Sequence, residues 1–265
     1  MQYVFILKYT ALLFSMAVFD ISLAGQRIEI DSIYDYVFRL CRNYITTENH
    51  GGTPDFKVKI SDEDIDLEYY KLIQQVNAEN KSFQKFSRPY LESLAVYRKI
   101  AAEIVNYNTI LFHGSVIAVD NSAYMFTAPS GTGKSTHAKL WRELFGKRAA
   151  MINDDKPLLK IYENNVIAYG SPWSGKHRLE NNIAVPLKAV AFLQRGARNY
   201  IRQVTPQEIY VNIIEQTFKP EDPKRIALIL KLIDKMIQNT RFYIMTCNME
   251  KEAAVVASSS MMQIF

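Results

Sequence analysis

Residues Ala128-Pro-Ser-Gly-Thr-Gly-Lys-Ser135 carry the clearest chemistry in this chain, a loop able to grip a nucleoside triphosphate. The pattern G-x-x-x-x-G-K-[ST] is met at Gly133, Lys134 and Ser135, with Ala128 in place of the first glycine. Small residues let the backbone curl until successive N–H groups point at phosphate oxygens. Ser130, Gly131, Thr132 and Thr136 complete that cradle. Lys134 is placed to reach the β- and γ-phosphates, and the Ser135 hydroxyl to take one position on Mg²⁺. The apolar run 123–127 reads as a strand entering the loop and 136–145 as a helix leaving it. Such a helix aims its positive N-terminal end at the bound anion.

A second group follows closely. The short apolar run 149–152 delivers Asn153-Asp154-Asp155 at its end. Taken alone, Asn-Asp-Asp is also a solvated turn. Beside a phosphate loop, two carboxylates fit Mg²⁺-dependent phosphoryl transfer, one to hold the hydrated metal and one to manage a proton. The Asn-Lys-x-Asp pattern that reads guanine occurs nowhere, which counts against a regulatory GTPase.

These residues need a framework, and 265 residues with 48% apolar composition can supply one large domain or two modest ones. A net charge of +5, with no basic run, zinc-ligand cluster or aromatic RNA-binding signature, argues against nucleic acid and suits a protein handling polyphosphates. The two cysteines, Cys41 and Cys247, suggest neither a disulfide framework nor a metal site, in keeping with a reducing, cytoplasmic setting. Residues 1–15 read as a mis-assigned start or a signal-like extension; the stretch is too short and interrupted for stable membrane insertion.

From 16 to 100 the pattern is that of a small α+β region without a catalytic constellation. Strands are expected at 17–23, 27–30 and 56–60, and helices at 32–44 and 91–105. His50-Gly-Gly-Thr-Pro54 is a loop by composition, and the acidic run from Asp62 suits a helix start better than a metal site. The segment 101–265 is expected to form the nucleotide-binding domain. One strand is predicted over 109–119, followed by a tight Asp120-Asn-Ser122 connection, so that the strand feeding the loop pairs antiparallel with its predecessor. Further on, strands are expected at 186–193 and 242–246, and helices at 206–218, 223–237 and 251–262. The methionines near the end suit packing.

Phe112-His-Gly114, Ala128–Thr136 and Ile152-Asn-Asp-Asp155 together resemble the HPr kinase/phosphorylase family, which shares its nucleotide fold with phosphoenolpyruvate carboxykinase. The matched segment spans about 105–160. A weaker resemblance to HPr-kinase-related proteins continues through Gly170-Ser-Pro-Trp-Ser-Gly-Lys176 and Phe192-Leu-Gln-Arg-Gly196. The resemblance implies an α/β fold, a P-loop domain with a mixed sheet behind the small α+β region. It implies that Asp154 accepts the proton of an acceptor hydroxyl, that Asp155 joins Ser135 in holding Mg²⁺, and that His113 sits near Asp154. It implies ATP as donor, and serine on a protein or peptide as leading acceptor. A small-molecule kinase and a nucleotide-binding sensor are the rivals, and homo-oligomers occur in the family.

The family's Glu-x-Arg-Gly and Pro-Gly-Arg-Asn-like segments are absent, so HPr itself is not implied as the acceptor. In place of the former stands Ser171-Pro-Trp-Ser-Gly-Lys-His-Arg178. Lys176, His177 and Arg178 offer positive charge for phosphates or an acidic substrate, and Trp173 an aromatic face. A surface loop with a packed tryptophan explains the same residues.

Overall fold

The computed structural model describes residues 17–46, 52–78, 86–175 and 177–263. The expectations for 1–15, for part of the loop at 50–54 and for Lys176 lie outside these residues. The chain divides into two compact units, one up to Glu103 and one from Ile104 onward.

In the first unit, β1 (Ala17–Leu23) and β2 (Gln26–Ser32) form an antiparallel hairpin. Its two-residue turn, Ala24-Gly25, has φ of 50° and 75°, the mirror-image geometry that matches strand twist. Because β2 runs through Ser32, helix α1 (Asp35–Leu40) starts later than predicted and gives way to a 3₁₀ turn at Arg42–Tyr44. β3 (Phe56–Lys59) pairs parallel with β2. Helix α2 (Asp62–Ala78) begins on the acidic run, its first turn carrying Asp62, Glu63 and Asp64 against the positive helix end. Helix α3 (Arg88–Glu103) buries Leu91, Ala95, Val96 and Ile100, and its Glu92 carboxylate accepts from the Ile33 and Tyr34 amides just before α1. Burial raises the pKa of Glu92, an effect these two hydrogen bonds oppose.

The second unit is a mixed sheet between two helical layers. Its elements are β4 (Thr109–Leu111), β5 (Ser115–Val119), β6 (Ser122–Thr127), α4 (Lys134–Phe145), β7 (Ala149–Asn153), β8 (Leu158–Ile161), β9 (Val166–Tyr169), β10 (Ala184–Arg195), β11 (Tyr200–Gln203), α5 (Pro206–Gln216), α6 (Pro223–Asn239), β12 (Arg241–Cys247) and α7 (Lys251–Met261). Among the described residues the strand order is β4-β8-β9-β10-β6-β5-β7, with β12 also beside β10 and β11 beside β12. The 12-residue β10 turns the sheet. Its first residues pair antiparallel with β9, the rest parallel with β6 and β12, and the register shifts between Leu187 and Ala189.

Alternation along the strands makes two cores. On one face Val116, Ala118, Met125, Val190 and Phe242 pack with Ile209, Ile213, Ile229 and Ile233 of α5 and α6. On the other, Ile117, Val119, Phe126, Ala191 and Met245 pack with Ala138 and Trp141 of α4 and Ala253, Ala257 and Met261 of α7. Among the described residues no helix is long and apolar enough to cross a membrane.

The strand expected over 109–119 is two strands. β4 pairs with β8, whereas β5 pairs with β6 and β7, so the chain changes partner across Phe112-His113-Gly114. The predicted tight connection is present: Asp120 and Asn121 have φ of 48° and 62°, and β5 and β6 are antiparallel. Strands β8, β9 and β11, four residues each, were not legible in the sequence pattern, being too short for a period to register.

Helix α4 buries His137 edge-on against Phe126, ring centroids 4.5 Å apart, with neither ring nitrogen hydrogen-bonded among the described residues. Burial pushes its pKa down from 6.5 to about 4. A base depressed in the folded state leaves stability intact above its unfolded pKa. That stability drains as pH falls from 6.5 to about 4, because only the unfolded chain takes the proton. The expected loss from this residue is about 3 kcal/mol, at 1.36 kcal/mol per pH unit of depression. Urea denaturation at pH 7 and pH 4 should show it in the wild type and not in His137→Leu; equal losses in both would refute the assignment.

Candidate functional site

Topology brings the predicted groups to one end of the sheet. β6 ends at Thr127, where the loop begins, and β7 ends at Asn153, where the acidic pair begins. Between them lies β5, antiparallel to both, so its starting residues reach the same end. His113, Gly114 and Ser115 therefore stand between the loop and the carboxylates. Hydrogen bonds tie the three segments together: Thr127 Oγ1 donates to the His113 carbonyl at 2.8 Å, and the Gly114 amide to the Asp155 carbonyl at 3.0 Å.

The loop curls tightly through two glycines in the left-handed region. Gly131 and Gly133 have φ of 79° and 123°, and nothing lies within 4 Å of where a Cβ would stand on either, so the cradle is open. The Thr132 side chain donates to the Pro129 carbonyl at 2.9 Å and tightens the curl. Gly133 precedes α4 without a side-chain cap, which leaves first-turn N–H groups free to face an anion. Ser130, Ser135 and Thr136 are exposed. Arg195, at the end of β10, donates to the Gly131 carbonyl at 2.5 Å and braces the loop from outside.

Lys134 is only 8% exposed, and its Nζ donates to the Ala128 carbonyl at 2.9 Å and more weakly to that of Pro129. Burial lowers its pKa; the charges of Asp155 and Asp154 oppose that shift without cancelling it. A buried ammonium held by neutral carbonyls is a site prepared for an anion.

Asn153 organises the acidic pair. Fully buried, it accepts from the Asp155 and Lys156 amides at 2.9 and 2.7 Å. Its amide nitrogen donates to the carbonyls of Ser171 and Trp173 and to the Ser171 hydroxyl. Asn153→Ala should therefore loosen both the acidic turn and the 171–178 loop. We expect a loss of about 2–4 kcal/mol from stranded buried partners; a melting temperature equal to that of wild type would contradict this.

Asp154 is 5% exposed. Its Oδ1 accepts from Ser115 Oγ at 2.8 Å, and a Cβ on Gly175 would lie 3.0 Å from Oδ2, a tight contact that would push on the carboxylate. Asp155 is more open, with its side chain 32% exposed, and it rather than Asp154 faces His113, whose Nε2 lies 3.5 Å from Oδ1. The expectation placed His113 near Asp154; the contact the structure shows is to its neighbour Asp155. On the other side, His113 Nδ1 meets Gln216 Oε1 at 3.0 Å, while the His113 amide donates to the Gln216 carbonyl at 2.8 Å. Burial raises the pKa of Asp155, but the His113 hydrogen bond and the charges of Lys156, His113 and Lys134 outweigh it, so the net shift is downward.

An oxygen-only donor pair, the Ser135 hydroxyl and the Asp155 carboxylate, fits a hard cation that keeps its other positions for water and phosphate. Among the described residues no group of three or more His, Cys, Asp or Glu could hold a metal ion by itself. Any Mg²⁺ here would therefore depend on a nucleotide for part of its shell.

The 171–178 loop divides. Trp173 is buried at 6% exposure, so the aromatic face expected for a planar ligand is occupied by packing. His177 and Arg178 are exposed, the latter at φ of 46°. Gly175 and Arg195 fall in the segments of weaker family resemblance, whereas Ser115 and Gln216 had no signal in the sequence: Gln216 lies 103 positions from His113, and only the folded sheet joins them.

No family model and no curated protein matches this chain. Solved structures do match. Among them, the HPr(Ser) kinase/phosphatase from Coxiella burnetii aligns with 56% of this chain and 94% of its own, at 12% identity and a TM-score of 0.31. At that distance the reading of the site rests on this chain's own residues.

Proposed function

We propose that the chain is an ATP- and Mg²⁺-dependent phosphotransferase of HPr kinase-like type, which passes the γ-phosphoryl group to a hydroxyl, with serine of a protein or peptide as acceptor. One observation carries the reading. The open phosphate loop with its buried Lys134, the histidine and the carboxylate pair meet at one end of three adjacent strands. A bare nucleotide-binding module uses one carboxylate for Mg²⁺; the second carboxylate and the histidine are what favour transfer.

In this reading the loop amides from Ser130 to Thr136 and the Lys134 ammonium bind the triphosphate. Ser135 and Asp155 hold Mg²⁺, which when bound offsets charge on the phosphates. Asp154 takes the acceptor proton, His113 orients Asp155, and His177 and Arg178, with Lys176, draw in an acidic substrate. Positioning and charge stabilisation would supply much of the rate. The domain is of the phosphoenolpyruvate carboxykinase/HPr kinase-like type, and the setting cytoplasmic.

A second assignment of the two carboxylates has its own support. Asp155 is the more open and carries the histidine, whereas Asp154 lies beneath Gly175. Exchanged roles would make Asp155 with His113 the proton acceptor.

The test is incubation with γ-labelled ATP, Mg²⁺ and separated protein, peptide and small-molecule fractions of a cell extract. Label in the protein or peptide fraction supports the proposal and label confined to small molecules redirects it. Tight ATP binding with no transfer or hydrolysis would leave a sensor.

A further inference from the structure

Helix α5 delivers its last residue to the side of His113. Ile209 and Ile213 anchor the helix in the core, and the Thr217 hydroxyl donates back to the Ile213 carbonyl at 2.8 Å, so the helix closes at Gln216. The chain leaving it runs antiparallel to the segment between β4 and β5. Phe112 bridges Thr217, and the Phe218 amide donates to the Leu111 carbonyl at 3.0 Å. Gln216 is thereby fixed opposite His113 and grips it twice. Its carbonyl accepts from the His113 amide at 2.8 Å, and its Oε1 meets ring Nδ1 at 3.0 Å.

The second of these contacts sets the direction of the ring. An imidazole turns about a broad χ2 torsion unless a partner pins it. The Thr127 hydroxyl takes the backbone carbonyl of His113 and leaves the ring alone. At the far side of the ring, the 3.5 Å from Nε2 to Asp155 Oδ1 is too long to fix it unaided. Asp155 Oδ2 lies 3.7 Å from Lys156 Nζ, so the carboxylate has a cation at one oxygen and the imidazole at the other. Gln216 also borders a cavity of about 630 Å³ whose other walls include Pro129, Gly131 and Arg195. Without the amide, water in that space competes for Nδ1 and the ring loses its direction.

We propose that Gln216 is a positioning residue for phosphoryl transfer: its amide fixes the His113 ring so that Nε2 stays turned toward Asp155. The inference rests on the phosphotransferase reading above and holds for either assignment of the two carboxylates. Where Asp155 holds Mg²⁺, the fixed ring keeps that carboxylate in one orientation. Where Asp155 with His113 takes the acceptor proton, the fixed ring keeps the pair aligned for it. In the step itself the attacking oxygen forms a bond to the γ-phosphorus. The bond from that phosphorus to the β-phosphate bridging oxygen breaks, and ADP leaves with the electron pair. The proton of the attacking oxygen passes to a carboxylate of the acidic pair. Gln216 takes no part in these bond changes and acts through His113.

The test is Gln216→Met in the full chain, which keeps the reach of the side chain and the backbone hydrogen bond and removes the accepting oxygen. Transfer from γ-labelled ATP is read with Mg²⁺, to water and to the extract fraction that the wild type labels. Turnover should fall about tenfold, the lower end of the range for residues that act behind a reacting group, with the KM for ATP unchanged. In a His113→Ala background the same substitution should cost no more than about twofold, because the ring it positions is gone. Gln216→Glu, which keeps an accepting oxygen at the same reach, should recover most of the turnover. Nitrogen-15 NMR of the nucleotide-free protein should show a slowly exchanging His113 Nδ1–H proton in the wild type and Gln216→Glu, lost in Gln216→Met. An unchanged ring proton in Gln216→Met, or an equal loss of turnover with and without His113, overturns the proposal. A wild type that transfers nothing defeats the phosphotransferase reading and this role together. A wild type that transfers, beside a Gln216→Met variant of equal turnover, defeats the role alone.

Discussion

Asp154→Asn should bind ATP as the wild type does and transfer its phosphate slower by roughly 10²–10⁴-fold, the usual contribution of a positioned general base. The substitution keeps the shape of the side chain. Its Oδ1 can still accept from the Ser115 hydroxyl, and the new amide adds no bulk beneath Gly175. What it removes is the capacity to take a proton as the attacking oxygen gains bond order. Asp155→Asn should behave differently, raising the Mg²⁺ concentration needed for half-maximal turnover and depriving His113 of its charged neighbour. Steady-state kinetics across a Mg²⁺ series, with nucleotide affinity measured separately, discriminates the two. Should Asp155→Asn lose transfer at every Mg²⁺ concentration while Asp154→Asn changes only the metal requirement, the exchanged assignment holds. Should neither variant change turnover, the acidic pair is not the reacting group.

Replacement of Lys134 by methionine should abolish tight nucleotide binding without weakening the empty protein. Two opposite effects of one buried charge are involved. In the free chain the ammonium is 8% exposed and its direct partners are carbonyls, so burial lowers its pKa and the charge is a net liability. An apolar side chain of similar length relieves that cost, as replacement of buried charges often does. With a triphosphate bound, the same ammonium meets full negative charge in a place poor in water. Loss of such a partner costs about 2–5 kcal/mol, or roughly 30- to 5,000-fold in Kd. Thermal melts with and without ATP show both effects at once. The variant should melt at or above the wild-type temperature when empty and gain little from ATP. A variant that keeps its ATP-induced shift would remove the loop from the proposal; one that melts much lower when empty would show that Lys134 holds the loop together through Ala128.

The loop could be read from the chain because its chemistry is local. Gly131 and Gly133 take positive φ, and the helix that leaves them starts at Lys134, all within a few residues. The β5–β6 hairpin was legible for the same reason, since Asp120-Asn121 sets a two-residue turn by itself. The break between β4 and β5 was not. Residues 109–119 form an almost continuous apolar run, and the apolar run does not show that its two ends pair with different strands. The contact of His113 with Asp155 was likewise visible only in the folded chain. Trp173 was ambiguous in the sequence because an aromatic ring in a polar loop suits packing and stacking equally, and burial against the folded chain chose packing.

The sequence by itself determined that a glycine-rich loop lies between a strand and a helix, and that two carboxylates follow another short strand. Spacing and residue type are enough for that, since each motif closes on its own backbone. Only the tertiary structure decided that β7 pairs antiparallel with the other side of β5, which places loop, histidine and carboxylates at one end of the sheet. Strand order depends on which faces bury best against α4–α7, a property of the whole chain. The same packing set Gln216 beside His113.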